Sequence, residues 1–152
     1  MNVSEAMGTD VKACGTDTSL ESAAMMMWDN DCGFLPVLDH LGKPVGVITD
    51  RDIAMSAALN HKPLWELTAG EIISGQTVHL CDMDEDVRSA LKTMWAQKVR
   101  RVPVVDGGGQ LRGVLSVDDI VSLAERGSRG QPLPPLSYDD AVMTLKAVSR
   151  HH

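Results

Sequence analysis

The chain has 152 residues, of which 43% are hydrophobic, and a formal net charge of −7 at pH 7. That apolar fraction is enough for a globular core, so the composition excludes a wholly disordered chain. The acidic charge argues against nucleic-acid binding, which needs a basic surface. No apolar run is long enough to span a bilayer, and the opening MNVSEAMGTD lacks the regions of a secretory signal. Three cysteines in apolar stretches indicate reduced thiols, so we expect a cytoplasmic protein without membrane association.

The sequence contains one internal repeat. The stretch GVITDRDIA begins at Gly46 and GVLSVDDIV begins at Gly113, which is an offset of 67 residues. The same offset aligns residues 11–54 with the second copy without a gap, and it pairs Met27–Trp28 with Met94–Trp95. A register this long predicts that one structural unit is present twice.

Each copy of the repeat predicts the same five elements. A short extended run (VKAC or TVHLC) leads into a helix with apolar residues at helical spacing, and Thr18 and Glu21 have capping-box spacing at its start in the first copy. Two apolar strands follow, FLPVL with PVGVI and RVPVV with LRGVL, each pair joined by a turn rich in Asp and Gly. A second helix begins after Thr49 and after Ser116. The order β-α-β-β-α, made twice, predicts an α/β (α+β) fold.

The repeat and a tail divide the chain into three predicted parts: residues 1–68, 69–126 and 127–152. Each repeat, at roughly 55 residues, is too small to bury much core alone. We therefore expect the two repeats to pack around a pseudo-two-fold axis, with two related clefts between them. The tail is a Pro/Gly-rich linker followed by a short helix with Ser137 as its N-cap. The sequence does not decide whether this helix packs on the repeats or on a partner.

Both copies place a hydroxyl three residues before an aspartate, at the point where a strand turns into a helix. The pairs are Thr49 with Asp52 and Ser116 with Asp119. The free N–H groups of a first helical turn favour an anion such as phosphate, and the carboxylate on the same face can accept both hydroxyls of a ribose. With a flat base between apolar side chains, this set suits a nucleotide. The same spacing also serves as plain helix capping, so the residues alone leave both interpretations open.

The β-α-β-β-α unit, the hairpin PVVD…G…GV and the endings TDRDI and SVDDI resemble CBS domains, and a tandem pair of these is called a Bateman module. The resemblance covers about residues 3–125. It implies a stand-alone regulatory module that binds AMP, ADP or ATP in the clefts and signals occupancy to an unknown regulated protein. It also implies a homodimer with no catalysis of its own, no metal and no required cofactor, and S-adenosyl methionine or NAD are further ligands within the family. The alternative is a scaffold or oligomerisation module whose clefts are empty or vestigial.

The resemblance further assigns ligand-binding residues to two clefts, each built from both repeats. In one cleft these are Val47, Thr49, Arg51 and Asp52, with Ser74, His79 and Arg100 facing them. In the other they are Val114, Ser116 and Asp119, with Gly8, Lys12 and Gly33 opposite and Arg101 reaching phosphate. Because Arg51 precedes Asp52 whereas Asp118 precedes Asp119, we expect the Thr49 cleft to bind a phosphate more tightly.

Two other motifs have structural interpretations. The run MMMW at residues 25–28 predicts core and dimer-face packing rather than a metal site, because its last two residues recur in the second copy. The acidic run at residues 82–86 lacks the glycine and the terminal glutamate of a calcium loop, so it predicts a solvated helix start.

Overall fold

Residues 1–149 are described by the computed structural model, and they form seven α-helices and six β-strands. In chain order these are α1 (Val3–Ala6), β1 (Cys14–Gly15), α2 (Leu20–Asp29), β2 (Phe34–Leu38), β3 (Pro44–Thr49), α3 (Asp50–Asn60), α4 (Ala69–Ile73), β4 (Cys81–Asp82), α5 (Val87–Gln97), β5 (Arg101–Val105), β6 (Leu111–Ser116), α6 (Val117–Leu123) and α7 (Tyr138–Val148). A short 3-10 helix, Leu64–Glu66, lies between α3 and α4. The last three residues of the predicted tail lie outside the described range. Within that range, no helix has the length and apolar character needed to span a membrane.

The described residues form two compact units. The first-repeat unit comprises Val11–Val78, and the second-repeat unit combines Met1–Asp10 with the chain from His79 onward. Helix α1 therefore belongs with the second repeat, and α4 belongs with the first. The predicted parts 1–68 and 69–126 were drawn from the sequence repeat, and that division stays a prediction. The compact units differ from it in where they place these two short helices.

Each unit contains one three-stranded mixed sheet, in the order β1-β2-β3 or β4-β5-β6. The short first strand is parallel to the central strand, and the third strand is antiparallel to it. Pro36 pairs with Val47 and Pro103 with Val114 in the two central strands. A proline fits there because each valine directs its carbonyl away from the central strand, where it accepts from the Gln76 side-chain amide or from the Gly8 N–H, so the ladder needs no donor from the proline. The matching sheets confirm the α/β fold class and the twofold β-α-β-β-α pattern.

Each unit has its own hydrophobic core, formed by its sheet and helices. The buried side chains of the first-repeat unit are Cys14, Leu20, Ala23, Met27, Leu35, Val37, Ile48, Ile53, Leu67, Ala69 and Ile73. Those of the second-repeat unit are Val3, Ala6, Cys81, Val87, Ala90, Leu91, Met94, Val102, Val104, Leu115, Val117, Ile120, Leu136, Ala141 and Val148. The apolar positions that predicted the first helix of each repeat therefore do face a core.

The start of α2 differs from the prediction by one residue. Ser19 is the N-cap, and its Oγ accepts a hydrogen bond from the Ser22 N–H at 3.1 Å. Thr18 instead accepts from the Gly15 N–H at 2.9 Å, within the turn that follows β1. The prediction that Thr18 caps this helix was wrong, because its hydroxyl is used to close that turn.

The glycine that opens each copy of the repeated nonapeptide is required by close packing. A Cβ on Gly46 would lie 2.6 Å from Ile73 Cγ2, and a Cβ on Gly113 would lie 2.5 Å from the Gly8 carbonyl oxygen. Both distances are far inside van der Waals contact, so neither position has room for a side chain. In each unit, the close contact to the third strand is made at a short helix, α4 or α1, that the predicted division of the chain assigns to the other repeat.

The C-terminal helix α7 packs on α5 and α6 within the second-repeat unit. Leu136, Ala141 and Val148 are buried in that unit's core. Arg88 on α5 forms an ion pair with Asp140 at 2.9 Å and also donates to the Pro134 carbonyl. The structure thus places the tail helix on the chain's own second repeat, which the sequence left undecided.

Candidate functional site

The two hydroxyl–aspartate pairs form matching capping boxes at the ends of β3 and β6. Thr49 Oγ1 accepts from the Asp52 N–H at 3.1 Å, and Asp52 Oδ2 accepts from the Thr49 N–H at 2.9 Å. Ser116 Oγ and Asp119 Oδ2 make the same exchange, at 3.1 and 2.8 Å. Both aspartates are half-buried. Capping is therefore a real role of these residues.

Capping does not exhaust the hydrogen-bonding capacity of the aspartates. An ionised carboxylate offers about four lone-pair sites. Among the described residues, the capping bonds to Asp52 and Asp119 all go to Oδ2, which leaves Oδ1 of each carboxylate available. A vicinal diol could be accepted there without opening the helix cap.

The two hydroxyls differ in what they donate to. Ser116 Oγ lies 2.8 Å from Asp119 Oδ2 and donates its proton to that carboxylate. Within the described part of the chain, the Thr49 hydroxyl accepts a bond but donates none. Thr49 can therefore donate to an incoming anion directly, whereas Ser116 would first have to break a bond to a charged acceptor.

The second-repeat unit has a small open cavity of about 90 Å³ at the start of α6. It is lined by Arg100, Arg101, Ser116, Val117 and Asp118. The lining thus includes two basic residues and one acidic residue, a balance of charge that favours an anion. A backbone hydrogen bond connects the arginine side of this cavity to α6, since the Val117 N–H donates to the Arg100 carbonyl at 2.9 Å.

The equivalent position in the first-repeat unit has no arginine beneath the helix. There the Asp50 N–H donates to the Gly33 carbonyl at 3.1 Å, and a Cβ on Gly33 would lie 3.1 Å from Asp50 Oδ2. Arg51, the predicted phosphate ligand, is exposed at the start of α3. Gly33 thus lies beside Thr49, and Arg100 lies beside Ser116. Their assignment to the opposite repeat's site stays a prediction.

The outer edge of each third strand is occupied by a different partner. In the second-repeat unit, Gly8 and Val114 exchange two backbone hydrogen bonds, at 2.9 and 3.0 Å. In the first-repeat unit, the side-chain amide of Gln76 takes the same role, accepting from the Val47 N–H at 2.9 Å and donating to the Val47 carbonyl at 3.2 Å. The sequence did not predict Gln76 as a site residue, because the alignment of the two copies shifts by one residue near this position and no matching residue of the other copy indicated it.

The remaining predicted site residues lie in the chain near the boundaries between the two units. Ser74 is the C-cap of α4, and its N–H donates to the Gly70 carbonyl at 3.1 Å. Lys12 is exposed and His79 is half-buried, each close to the point where the chain passes from one unit to the other. Their roles as ligand contacts stay predictions.

Two repeated aspartates outside the site organise the hairpin turns. The hydrogen bond from the Lys43 N–H, followed by that from Leu41, lowers the pKa of Asp39 against the opposing effect of burial. The pKa of Asp106 is lowered first by the Arg112 side chain, which donates to Oδ2 at 2.8 Å, and by the N–H of Gln110. The repeated Asp of the hairpins is therefore structural.

The buried cysteines do not form a reactive centre. Burial raises the pKa of Cys14 to about 11 and that of Cys81 to about 12, the latter also through Glu85. Both thiols are therefore neutral near pH 7 and belong to the cores. Over residues 1–149, no cluster of three or more His, Cys, Asp or Glu side chains is arranged to hold a metal ion.

Comparisons with known proteins identify the repeated unit. A family model described as CBS domain matches residues 3–58 and 69–126. The CBS domain-containing protein YhcV of Bacillus subtilis is 26% identical over 144 residues, which are 91% of this chain and 97% of that protein. An uncharacterized protein of Methanopyrus kandleri is 32% identical over 108 residues, 71% of this chain and 54% of that protein. The chain spans about half or less of the length of this and several other curated relatives.

Two solved structures share the fold. The CBS domain pair of protein MJ0100, in complex with 5′-methylthioadenosine and S-adenosyl-L-methionine, is 28% identical with a TM-score of 0.67 over 81% of this chain and 94% of that one. A CBS domain protein of Thermoplasma acidophilum is 20% identical with a TM-score of 0.75, over 97% of this chain and 75% of that one. The second likeness is one of fold alone.

Proposed function

We propose that this chain, which belongs to the CBS-domain family, is a regulatory module that binds an adenine nucleotide and passes its occupancy to another protein. The observation that carries the proposal is the duplicated strand-to-helix turn, in which a hydroxyl and a carboxylate are held against each other. A nucleotide regulates by favouring one arrangement of the protein, which requires that it bind the two arrangements unequally.

The adenosine part of the ligand is supported by the likeness to the MJ0100 pair. Both ligands of that protein, 5′-methylthioadenosine and S-adenosyl-L-methionine, contain adenosine with its ribose diol. In this chain Oδ1 of Asp52 and of Asp119 would accept such a diol. A ligand that lacks one of the two ribose hydroxyls should therefore bind more weakly than its ribose counterpart.

The phosphate part is supported by the charges around the start of α6. The cavity that includes Ser116 has two arginines and one aspartate in its wall. A phosphate gains charge-assisted hydrogen bonds in such surroundings, whereas the positive sulfonium of S-adenosyl methionine gains none. We therefore favour AMP, ADP or ATP over S-adenosyl methionine for this chain.

Isothermal titration calorimetry and thermal shift with AMP, ATP and S-adenosyl methionine test the proposal. A nucleotide present at about 100 times its Kd stabilises the native state by about 2.7 kcal/mol, which raises the melting temperature by several degrees. Asp52→Asn and Asp119→Asn retain a capping oxygen but lose the charge, and each should weaken binding. The matched control is Glu71→Gln, which alters the same capping position on α4 and should leave affinity unchanged.

A second comparison tests the predicted difference between the two sites. Thr49→Val and Ser116→Ala each remove a helix cap, but the Ser116 hydroxyl already donates its proton to Asp119, whereas the Thr49 hydroxyl can donate to a ligand. A hydrogen bond to a charged group contributes about 1.5–3 kcal/mol, so Thr49→Val should weaken AMP binding at its own site about 10- to 150-fold, and Ser116→Ala should weaken binding at its own site far less. Absence of any heat or melting shift with all three ligands would instead support the scaffold alternative.

A further inference from the structure

The outer edge of β3 is closed by a side chain, whereas the outer edge of β6 is closed by main chain. We call the N–H and carbonyl of Val47, which bond to the carboxamide of Gln76 at 2.9 and 3.2 Å, the Val47 edge. At Val114 both groups bond to the backbone of Gly8, whose carbonyl oxygen would lie 2.5 Å from a Cβ on Gly113. Opening the edge at Val114 therefore requires a backbone movement in tight packing, but opening the Val47 edge requires only a side-chain rotation.

A tight turn at the end of α4 places Gln76 beside β3. The Gln76 N–H donates to the Ile73 carbonyl at 2.8 Å, and Gly75 between them has a φ of 79°. Ser74 has φ −56° and ψ 121°, so these four residues form a type II turn, which requires a residue such as glycine at its third position. The turn fixes the backbone of Gln76, whereas its exposed side chain can rotate into water.

Gln76 and Asp52 accept from successive N–H groups of the same strand edge. The Val47 N–H donates to Gln76 Oε1, and the Thr49 N–H donates to Asp52 Oδ2 at 2.9 Å. Residues two apart on a strand direct their N–H groups to the same edge and lie about 6.6 Å apart. This separation is within the length of a nucleoside, so a ribose bound at Asp52 would bring its base within reach of the Val47 edge.

The carboxamide of Gln76 presents the same pair of groups as an edge of adenine. It sets an acceptor oxygen beside a donor NH₂, and these match the N–H and the carbonyl of Val47. Adenine sets an acceptor ring nitrogen beside its amino donor. The two groups cannot bond to the Val47 edge at the same time, so the side chain and the base exclude each other.

We propose that Gln76 is an internal competitor, whose carboxamide holds the Val47 edge in the unliganded protein and is displaced by the base of the nucleotide. This inference rests on the proposed binding of a nucleotide at Thr49 and Asp52. A ligand that needs an open edge binds with an apparent affinity reduced by the fraction of molecules in which that edge is open. Gln76 therefore sets the affinity of the Thr49 site, while at Val114 main chain takes its place.

Isothermal titration calorimetry with AMP on Gln76→Met and Gln76→Ala tests the proposal. An Asp119→Asn background weakens the other site, so that the heat reports the Thr49 site. Both substitutions remove two neutral hydrogen bonds of the competitor, so AMP should bind about 5- to 30-fold more tightly than it does with Gln76 present. The gain should be smaller for purine riboside 5′-monophosphate, which lacks the amino donor of AMP. Because Gln76 is exposed, both variants should keep the circular dichroism of the parent.

The matched control is Gln97→Ala, which removes an exposed glutamine at the end of α5 and should leave AMP affinity unchanged. A second readout is the NMR signal of the Gln76 side-chain amide, identified by its loss in Gln76→Met. Addition of AMP should move this signal to the position of a glutamine amide in water.

The outcomes separate this inference from the proposed function. AMP affinity that is unchanged or lower in both Gln76 variants, or an amide signal that AMP does not move, would overturn the competition but leave the nucleotide site in place. AMP binding to the Gln76 variants but not to the parent would support strong competition. Absence of AMP binding to the parent and to both variants would overturn the proposed function and this inference together.

Discussion

Replacing Thr144 with valine tests how the C-terminal helix is held on the second-repeat unit. Among the described residues, Thr144 is the single polar side chain that is fully buried. Its Oγ1 accepts from Trp95 Nε1 at 2.8 Å and donates to the Asp140 carbonyl at 2.7 Å. Valine has nearly the same shape, so the substitution removes two hydrogen bonds without opening a cavity.

The expected cost of Thr144→Val is about 2 kcal/mol. Each neutral hydrogen bond contributes about 1 kcal/mol, and the half-buried indole N–H of Trp95 is left without its acceptor. Urea unfolding, followed by far-UV circular dichroism and by tryptophan fluorescence, measures the change. In a double-mutant cycle with Trp95→Phe, we expect a coupling energy of about 1 kcal/mol.

Thr93→Val is the matched control for this measurement. The Thr93 hydroxyl makes the same type of bond to the carbonyl four residues earlier, at 3.4 Å, but it has no indole partner. Its replacement should cost less than about 0.5 kcal/mol. A loss below that value in Thr144→Val, or a coupling energy near zero, would refute the view that this buried pair fixes α7.

Two further outcomes follow from the packing and the charges. Gly113→Ala should lower the free energy of unfolding by about 2–4 kcal/mol, because its Cβ would meet the carbonyl oxygen of Gly8. The control is Gly107→Ala, which has no atom near its Cβ and should change the free energy of unfolding by less than about 0.5 kcal/mol. Thermal unfolding of both variants measures the difference. Although burial raises the pKa of Asp140, hydrogen bonds from Ser137 and the charge of Arg88 hold it below its ordinary value. Ionised Asp140 therefore stabilises the fold above about pH 4 and loses this effect as pH falls through its lowered pKa. The stability difference between wild type and Asp140→Asn should shrink from pH 6 to pH 2, and a difference that stays constant would contradict this assignment.

Much of the local structure could be predicted because it depends on residues close together in the chain. The periodicity from Leu20 to Met27 predicted α2, and the hydroxyl–aspartate spacing predicted the caps that Thr49 and Ser116 form. The one-residue error at Thr18 arose because two adjacent hydroxyls satisfy the same local pattern. Which of them caps the helix depends on the turn after β1, where the Gly15 N–H needs an acceptor.

The candidate site was predicted less completely, because part of it depends on contacts between distant segments. Gln76 bonds to the backbone of Val47 from 29 positions away. Arg100 lines a cavity with Ser116 through the bond that joins its carbonyl to the first residue of α6. Neither contact has a signal in the repeat, since Gln76 lies at a register slip and Arg100 corresponds to a glycine.

The sequence by itself determined the repeat, the order of its elements and the capping pairs, since these follow from propensities and bonds within about one helical turn. Only the tertiary structure decided that α1 packs with the second repeat, that α4 packs with the first, and that α7 packs on α5 and α6. Those choices depend on which apolar surfaces meet and on which buried polar groups find partners, as when Trp95 bonds Thr144 across 49 residues. Hydrophobic burial is not directional, so the pattern of a helix shows which side is buried but not against what.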